Sequence, residues 1–164
     1  MTSPPEFSTS SPANVADVAN DFLRGYLPYL LQRADQLLSD EFHRTIAADG
    51  VAVSDWRILA VLRDGRARSV GELATETMLP QPTCTHAIGR LHASGRLQRQ
   101  QSAHDGRRSV VSLTPPGQRL ADRLVKQATD STDRLLANLD PRLSDELRHH
   151  AAALIDALTT ARCT

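Results

Sequence analysis

Apolar residues fall at three-and-four spacing along most of the chain and at spacing two in one short region. Val15, Val18, Phe22, Tyr26 and Tyr29 begin a helical stripe. Leu30, Leu31, Ala34, Leu37, Leu38, Phe42 and Ile46 extend it to a stop near Asp49-Gly50, with Pro28 bending or restarting the helix. Ser54 is a predicted N-cap for a short helix through Trp56, Ile58, Leu59 and Leu62, with Asp64-Gly65 as its stop. After an extended link, residues 70–78 carry Leu73 and Ala74 on an apolar side. Pro80-Gln81-Pro82 then breaks the chain before a helix over about residues 82–93. Thr114 is placed to cap a helix opening at Pro115-Pro116 with the stripe Leu120, Leu124, Ala128, Leu135 and Leu139. Asp140-Pro141 closes it, and a last helix aligns Leu143, Leu147, Ala151, Leu154 and Leu158.

The exception to helical spacing is Leu97-Gln98-Arg99-Gln100 and Ser109-Val110-Val111-Ser112-Leu113, which flank the polar tip His104-Asp105-Gly106-Arg107-Arg108 and predict a β-hairpin. A basic hairpin directly after a short helix pair predicts a mainly α fold, a winged helix-turn-helix with a small β-hairpin wing and N- and C-terminal dimerisation helices. The second helix of the pair separates into two faces. Cys84, Ala87, Ile88 and Leu91 point inward, while Gln81, Thr83, Thr85, His86, Gly89 and Arg90 point outward. Such an outward face suits base edges and phosphates, with Arg90 able to fork onto guanine, and the wing suits an adjacent minor groove.

Composition changes this picture only through its distribution. The 164 residues hold 19 basic and 19 acidic side chains, a formal net charge of zero. Residues 85–119 nevertheless carry Arg90, Arg96, Arg99, Arg107, Arg108 and Arg119 against Asp105 alone, so the basic charge gathers on the proposed reading surface. The predicted organisation is a disordered Ser/Thr/Pro-rich tail over residues 1–12, N-terminal helices over 13–50, a winged region over 51–114 and dimerisation helices over 115–164. The stripes outside the winged region exceed what its own core needs, so they are expected to meet a second copy of the chain.

Val53-Ser54-Asp55-Trp56-Arg57-Ile58-Leu59, Pro82-Thr83-Cys84-Thr85-His86, Gly95-Arg96-Leu97, and Asp105-Gly106-Arg107-Arg108 closing on Leu113-Thr114-Pro115-Pro116-Gly117 together resemble the MarR family of bacterial transcriptional regulators over about residues 27–160. The resemblance implies a homodimer that binds a palindromic, inverted-repeat operator in double-stranded DNA, more often as a repressor. It implies that Arg107 is the wing-tip arginine oriented by Asp105, and that Thr83, Thr85, His86 and Arg90 read the major groove. Cys84 stands where the family has a small apolar residue, and Gly106 where it often has arginine, with Arg108 beside it to restore the charge. The resemblance also implies release by a small aromatic or phenolic effector in a pocket between the dimer helices and the winged domain, with Tyr29, His43, Trp56 and Arg57 as candidates. The residue types themselves favour Trp56 as core, and His43 as a satisfied surface or interface histidine.

Other classes find less support. No phosphate loop, nucleophile elbow or zinc-protease spacing occurs, so an enzyme is not expected. A winged helix used purely as a protein-interaction module need not carry a basic wing. Redox control through Cys84 or Cys163 would need an accessible, low-pKa thiol, and Cys84 points inward in this reading. Glu146 and His150, with His149 adjacent, lack a third metal ligand, so neither metal nor cofactor is expected. No apolar run of membrane length occurs, and the expected location is cytoplasmic.

Overall fold

The computed structural model describes residues 21–101 and 109–162, so the predicted tail, the wing tip with Asp105, Arg107 and Arg108, and Cys163 lie outside the described residues. The chain divides into two compact units between Leu38 and Ser39, within one long helix, α1 (Leu27–Ala48). In the first unit residues 21–25 are helical, and α1 restarts after Tyr26 with Pro28 in its second position. An N–H has no intrahelical partner there, so proline removes nothing. Phe22 and Tyr26 stack with ring centroids 5.1 Å apart. Both remain exposed, as do Leu30, Leu31 and Leu37.

The second unit contains the core. After the last turns of α1 come α2 (Val53–Leu62), β1 (Arg68–Ser69), α3 (Val70–Glu76), α4 (Gln81–Ala93), β2 (Leu97–Gln101), β3 (Ser109–Leu113), α5 (Pro115–Leu136) and α6 (Pro141–Arg162). Phe42 and Ile46 of α1, Ile58, Leu59 and Leu62 of α2, and Ile88 and Leu91 of α4 are buried together with Leu120 and Leu124 of α5. Leu97 and Val111 close this core from the sheet. The sheet has three antiparallel strands in the order β1-β3-β2, where the sequence predicts only the β2-β3 hairpin. The third strand is two residues long. It exists because Arg68 and Ser69 pair with Val111 and Val110, a contact no local pattern announces.

Two other expectations are corrected. Ser54 is not the N-cap of α2: Ala52 is, without a side-chain bond. The Ser54 hydroxyl instead accepts a hydrogen bond from Arg90. Helix α5 stops at Leu136, so Leu139, predicted on its stripe, lies exposed in the link to α6.

The foot of the wing is fastened at one point. Helix α4 ends in a turn in which the Arg96 N–H donates to the Leu91 carbonyl at 2.8 Å and Gly95 takes φ 68°, the left-handed position that glycine occupies without steric cost. The Thr114 N–H donates to the Arg96 carbonyl at 3.0 Å, and its hydroxyl donates to the Gly95 carbonyl at 2.7 Å while accepting the Gly117 N–H at 3.2 Å. Thr114 thereby caps α5 as predicted. A Cβ at position 117 would overlap the Arg96 carbonyl oxygen, so only glycine allows α5 to start there.

A buried arginine holds the entry to the helix pair. Arg68 is 7% exposed. Its Nη atoms bind both Asp64 oxygens at 2.7 and 2.8 Å, and its Nε lies 3.0 and 2.9 Å from the Glu76 oxygens. Asp64 also accepts the Arg66 N–H at 3.0 Å. Hydrogen bonds from Arg68 first, then from the Arg66 backbone and side chain, hold the Asp64 carboxyl well below the usual carboxylate range. A carboxyl whose folded pKa is depressed contributes stability that is present above its unfolded pKa and is lost as pH falls toward the folded value. Asp64→Asn is expected to lower the melting temperature at neutral pH, with the difference from the unaltered chain closing as pH falls below about 4. A difference that stays constant between pH 7 and pH 3 in thermal melts would show that the charge does not hold this turn.

Candidate nucleic-acid interface

The predicted reading helix is α4, and both of its faces are as the spacing requires. Cys84, Ala87, Ile88 and Leu91 are buried, whereas Gln81, Thr83, Thr85, His86, Gly89 and Arg90 are exposed. Pro82 sits in its first turn, and Arg90 and His92 in its last, where positive charge suits the helix C-terminus. The Thr85 hydroxyl donates to the Gln81 carbonyl at 2.9 Å. That bond fixes the rotamer, leaving the hydroxyl lone pairs and the methyl group to face outward.

Helix α3 braces α4 from behind. A capping box starts it, with Glu72 N–H donating to Ser69 Oγ at 3.3 Å and Ser69 N–H donating to Glu72 Oε2 at 2.7 Å. It ends in a left-handed turn in which Leu79 N–H donates to the Ala74 carbonyl at 3.1 Å. Leu79 packs against the core. Met78, between them, takes φ 55°, the one positive φ at a non-glycine among the described residues. This conformation costs a side-chain-bearing residue about 1–2 kcal/mol.

Strand β2 lies open to solvent beyond its first residue. Only Leu97 of β2 is buried, and Gln98, Arg99, Gln100 and Gln101 are exposed. Gln98 and Gln100 each donate to Ser112 Oγ, at 3.2 and 3.3 Å, stiffening the strands that lead to the wing tip.

Arg90 has a different setting from its neighbours. Its Nη2 donates to Asp55 Oδ1 at 2.6 Å and to Ser54 Oγ at 3.1 Å, while Nε lies 3.4 Å from Asp55 Oδ2. Asp55 is 8% exposed, in the first turn of α2. The guanidinium therefore ties α4 to α2. Asp55 and Ser54 lie 35 and 36 positions away in sequence, so no local spacing marks them as its partners.

Of the sequence-predicted effector residues, His43 and Trp56 lie against the same ring. Phe42 meets Trp56 edge-on at 5.0 Å between ring centroids and approaches His43 at 5.9 Å, so Trp56 and His43 frame one aromatic cluster. Arg57 turns to the Thr77 carbonyl at 3.5 Å, at the end of α3. Tyr29 belongs to the first unit. A cleft of about 780 Å³ opens between α1 and α5 and is lined by Phe42, Thr45, Gln127, Ser131 and Arg134 among others. Ser131 is 3% exposed, and its Oγ and the Gln127 Oε1 are buried without a hydrogen-bond partner. Arg134 reaches Glu41 at 3.2 Å beside them. An amphipathic pattern gives no signal for such a site, because Gln127, Ser131 and Arg134 read as an ordinary polar helix face.

Cys84 is fully buried, its thiol 3.9 Å from the Val70 carbonyl, and burial pushes the thiol pKa up. A thiol so placed is a poor oxidant sensor. Among the described residues no three His, Cys, Asp or Glu side chains converge to hold a metal ion, and no helix is long and apolar enough to cross a membrane.

Comparison with known proteins agrees with this geometry. The family model described as MarR family matches residues 49–108. A MarR family transcriptional regulator from Silicibacter pomeroyi is 32% identical, with a TM-score of 0.74 over 83% of this chain and 97% of that one. The Bordetella bronchiseptica regulator BpsR, described as regulated in DNA binding by 6-hydroxynicotinic acid, is 25% identical, with a TM-score of 0.70 over 89% of this chain and 99% of that one. A putative transcriptional regulatory protein for the hcr operon of Thauera aromatica is 27% identical over 90% of this chain and 88% of its own length.

If Arg90 positions α4 through Asp55, then Arg90→Ala and Asp55→Ala weaken binding to a DNA duplex by similar factors, and the double variant is no weaker than either. The ion pair is half exposed on its arginine side, so its coupling is about 1 kcal/mol or less. A far larger loss from Arg90→Ala alone, in the same titration, would instead place the guanidinium on DNA.

Proposed function

The chain belongs to the MarR family of transcriptional regulators, and from that footing we propose that it is a homodimeric repressor of an inverted-repeat operator, relieved by a hydroxylated aromatic acid. The observation that carries the reading is α4, one face locked in the core and the other presenting Gln81, Thr83, Thr85 and His86 to solvent beside the exposed strand β2. These four side chains read the major groove. Asp105, Arg107 and Arg108, assigned by resemblance, carry the wing tip into the neighbouring minor groove. Arg90 contributes by holding α4 against α2. The protein acts by binding, not catalysis, and works in the cytoplasm, where its DNA is.

Dimerisation is supported by apolar side chains left bare in a single chain. Leu143, Leu147, Ile155 and Leu158 of α6 are exposed, as are Phe22, Leu30, Leu31 and Leu37 of the first unit. Apolar surface on this scale is costly to leave in water. The helices outside residues 51–114 therefore serve a second copy, and a two-fold axis sets two α4 helices about 34 Å apart on DNA.

The effector reading rests on the cleft between α1 and α5. Its volume suits a small ligand. The orphaned Ser131 Oγ and Gln127 Oε1 offer a hydroxyl partner, Phe42 offers a ring, and Arg134 a cation for a carboxylate. BpsR, regulated by 6-hydroxynicotinic acid, has this class of ligand.

Selection from a random duplex library by the purified protein is expected to enrich an inverted repeat, and Arg107→Ala to bind it more weakly with a salt slope smaller by about one unit. Enrichment of a single unrepeated site would refute the dimeric arrangement, and enrichment of none the DNA-binding reading. Ser131→Ala is expected to weaken binding of 6-hydroxynicotinic acid about five- to tenfold by calorimetry, the worth of one hydrogen bond, with operator affinity unchanged. Equal ligand affinity in the two proteins would remove the cleft as the effector site.

A further inference from the structure

We propose that Met78, in the turn between α3 and α4, is a DNA-contacting residue that lays its thioether chain against a thymine methyl group at the edge of each half-site. The inference rests on the DNA-binding reading above and adds a residue that neither the helix pattern nor the family resemblance assigns.

Three observations carry it. Met78 holds a left-handed backbone, φ 55°, where a glycine would sit without strain. Met78 is 81% exposed, so no packing among the described residues offsets that strain, and the neighbouring Leu79 makes the apolar contact that closes the turn. Met78 also stands three residues before Gln81, the first residue of α4, which keeps the two Cα atoms within about 11 Å. A long, flexible and polarisable side chain is thus held in a strained conformation beside the end of the helix that enters the groove.

The chemistry narrows what it meets. A thioether donates no hydrogen bond and carries no charge, so it gains little from a phosphate or a base-edge donor. The apolar feature in the major groove is the thymine C5 methyl group. Exposed Arg99 on β2 carries a charged end, so Met78 adds to the Thr85 methyl group an apolar contact nearer the start of α4.

The test compares the unaltered chain with Met78→Gly, Met78→Asn and Met78→Leu on the selected operator. Each is repeated on duplexes in which one thymine per half-site is replaced by deoxyuridine, which lacks only the C5 methyl. Glycine and asparagine both accept a left-handed backbone, so those variants keep the turn, and Met78→Gly is expected to melt higher. The expected result is that one deoxyuridine position, replaced in both half-sites, weakens the unaltered chain about fifteenfold, about fourfold for each buried methyl group. Met78→Gly and Met78→Asn bind the intact operator at least that much more weakly and are indifferent to the replacement, and Met78→Leu retains sensitivity to it. Operator affinity of Met78→Gly within twofold of the unaltered chain overturns the proposal, as does a methyl effect equal in the unaltered chain and Met78→Gly. Failure of the unaltered chain to bind any duplex would instead bring down the DNA-binding reading itself, and this inference with it.

Discussion

The carbonyl oxygen of Arg96 is where three parts of the winged region meet. It follows the left-handed Gly95 that ends α4, opens β2, and accepts the N–H of Thr114 at the start of α5. Gly117 lies so close to it that no side chain fits between. Recognition helix, wing and α5 therefore share one backbone joint without a flexible linker. The motif Leu113-Thr114-Pro115-Pro116-Gly117 is the sequence trace of that joint. Threonine supplies the cap and the cross-link, the prolines sit in a first turn that does not need their N–H groups, and glycine supplies the clearance.

Arginine does two kinds of work here, and the distinction governs how charge should be read. Arg68, nearly buried, is saturated by Asp64 and Glu76 and fixes the entry to the helix pair. Arg90, half exposed, is engaged by Asp55 and Ser54 and fixes α4 against α2. Both add to a count of basic residues, yet each has its charge answered inside the fold. Rigid bidentate forks suit this inward use as well as they suit phosphate. Of the local excess over residues 85–119, Arg90 is the member already engaged by a carboxylate among the described residues.

Much of this architecture was legible because it is local. The i, i+3, i+4, i+7 pattern of Cys84, Ala87, Ile88 and Leu91 identified the buried face of α4, Pro28 marked the helix restart, and Thr114 marked the cap of α5. What escaped is non-local. Strand β1 is two residues that become a strand only by pairing with β3, more than 40 positions on. Ser54 has the chemistry of an N-cap, but Arg90, across the fold, claims its hydroxyl. Leu139 has the right spacing for α5, but the helix ends before it. Among the effector candidates, Trp56 and His43 were visible as aromatics and proved to frame Phe42. Gln127 and Ser131 carried no signal, since a polar residue on an amphipathic helix is conspicuous only once its burial is known.

The same geometry suggests how a ligand would reach the DNA-binding face. Gly117 and Ser131 are fourteen residues apart on one helix, about 21 Å at 1.5 Å per residue. At the first of these positions α5 is clamped to the Arg96 carbonyl, and at the second it borders the cleft. Between these positions Leu120, Ala121 and Leu124 hold α5 in the core shared with α2 and α4, so a shift at the cleft end would reach the Arg96 joint through that packing. Packed interfaces shift between discrete arrangements more readily than they deform continuously. A ligand with a differential affinity of about 1–3 kcal/mol for one arrangement is then enough to change operator affinity several-fold or more. On the function proposed above, such coupling would run along α5, whose buried Leu120 and Leu124 and whose joint at Arg96 both connect it to α4.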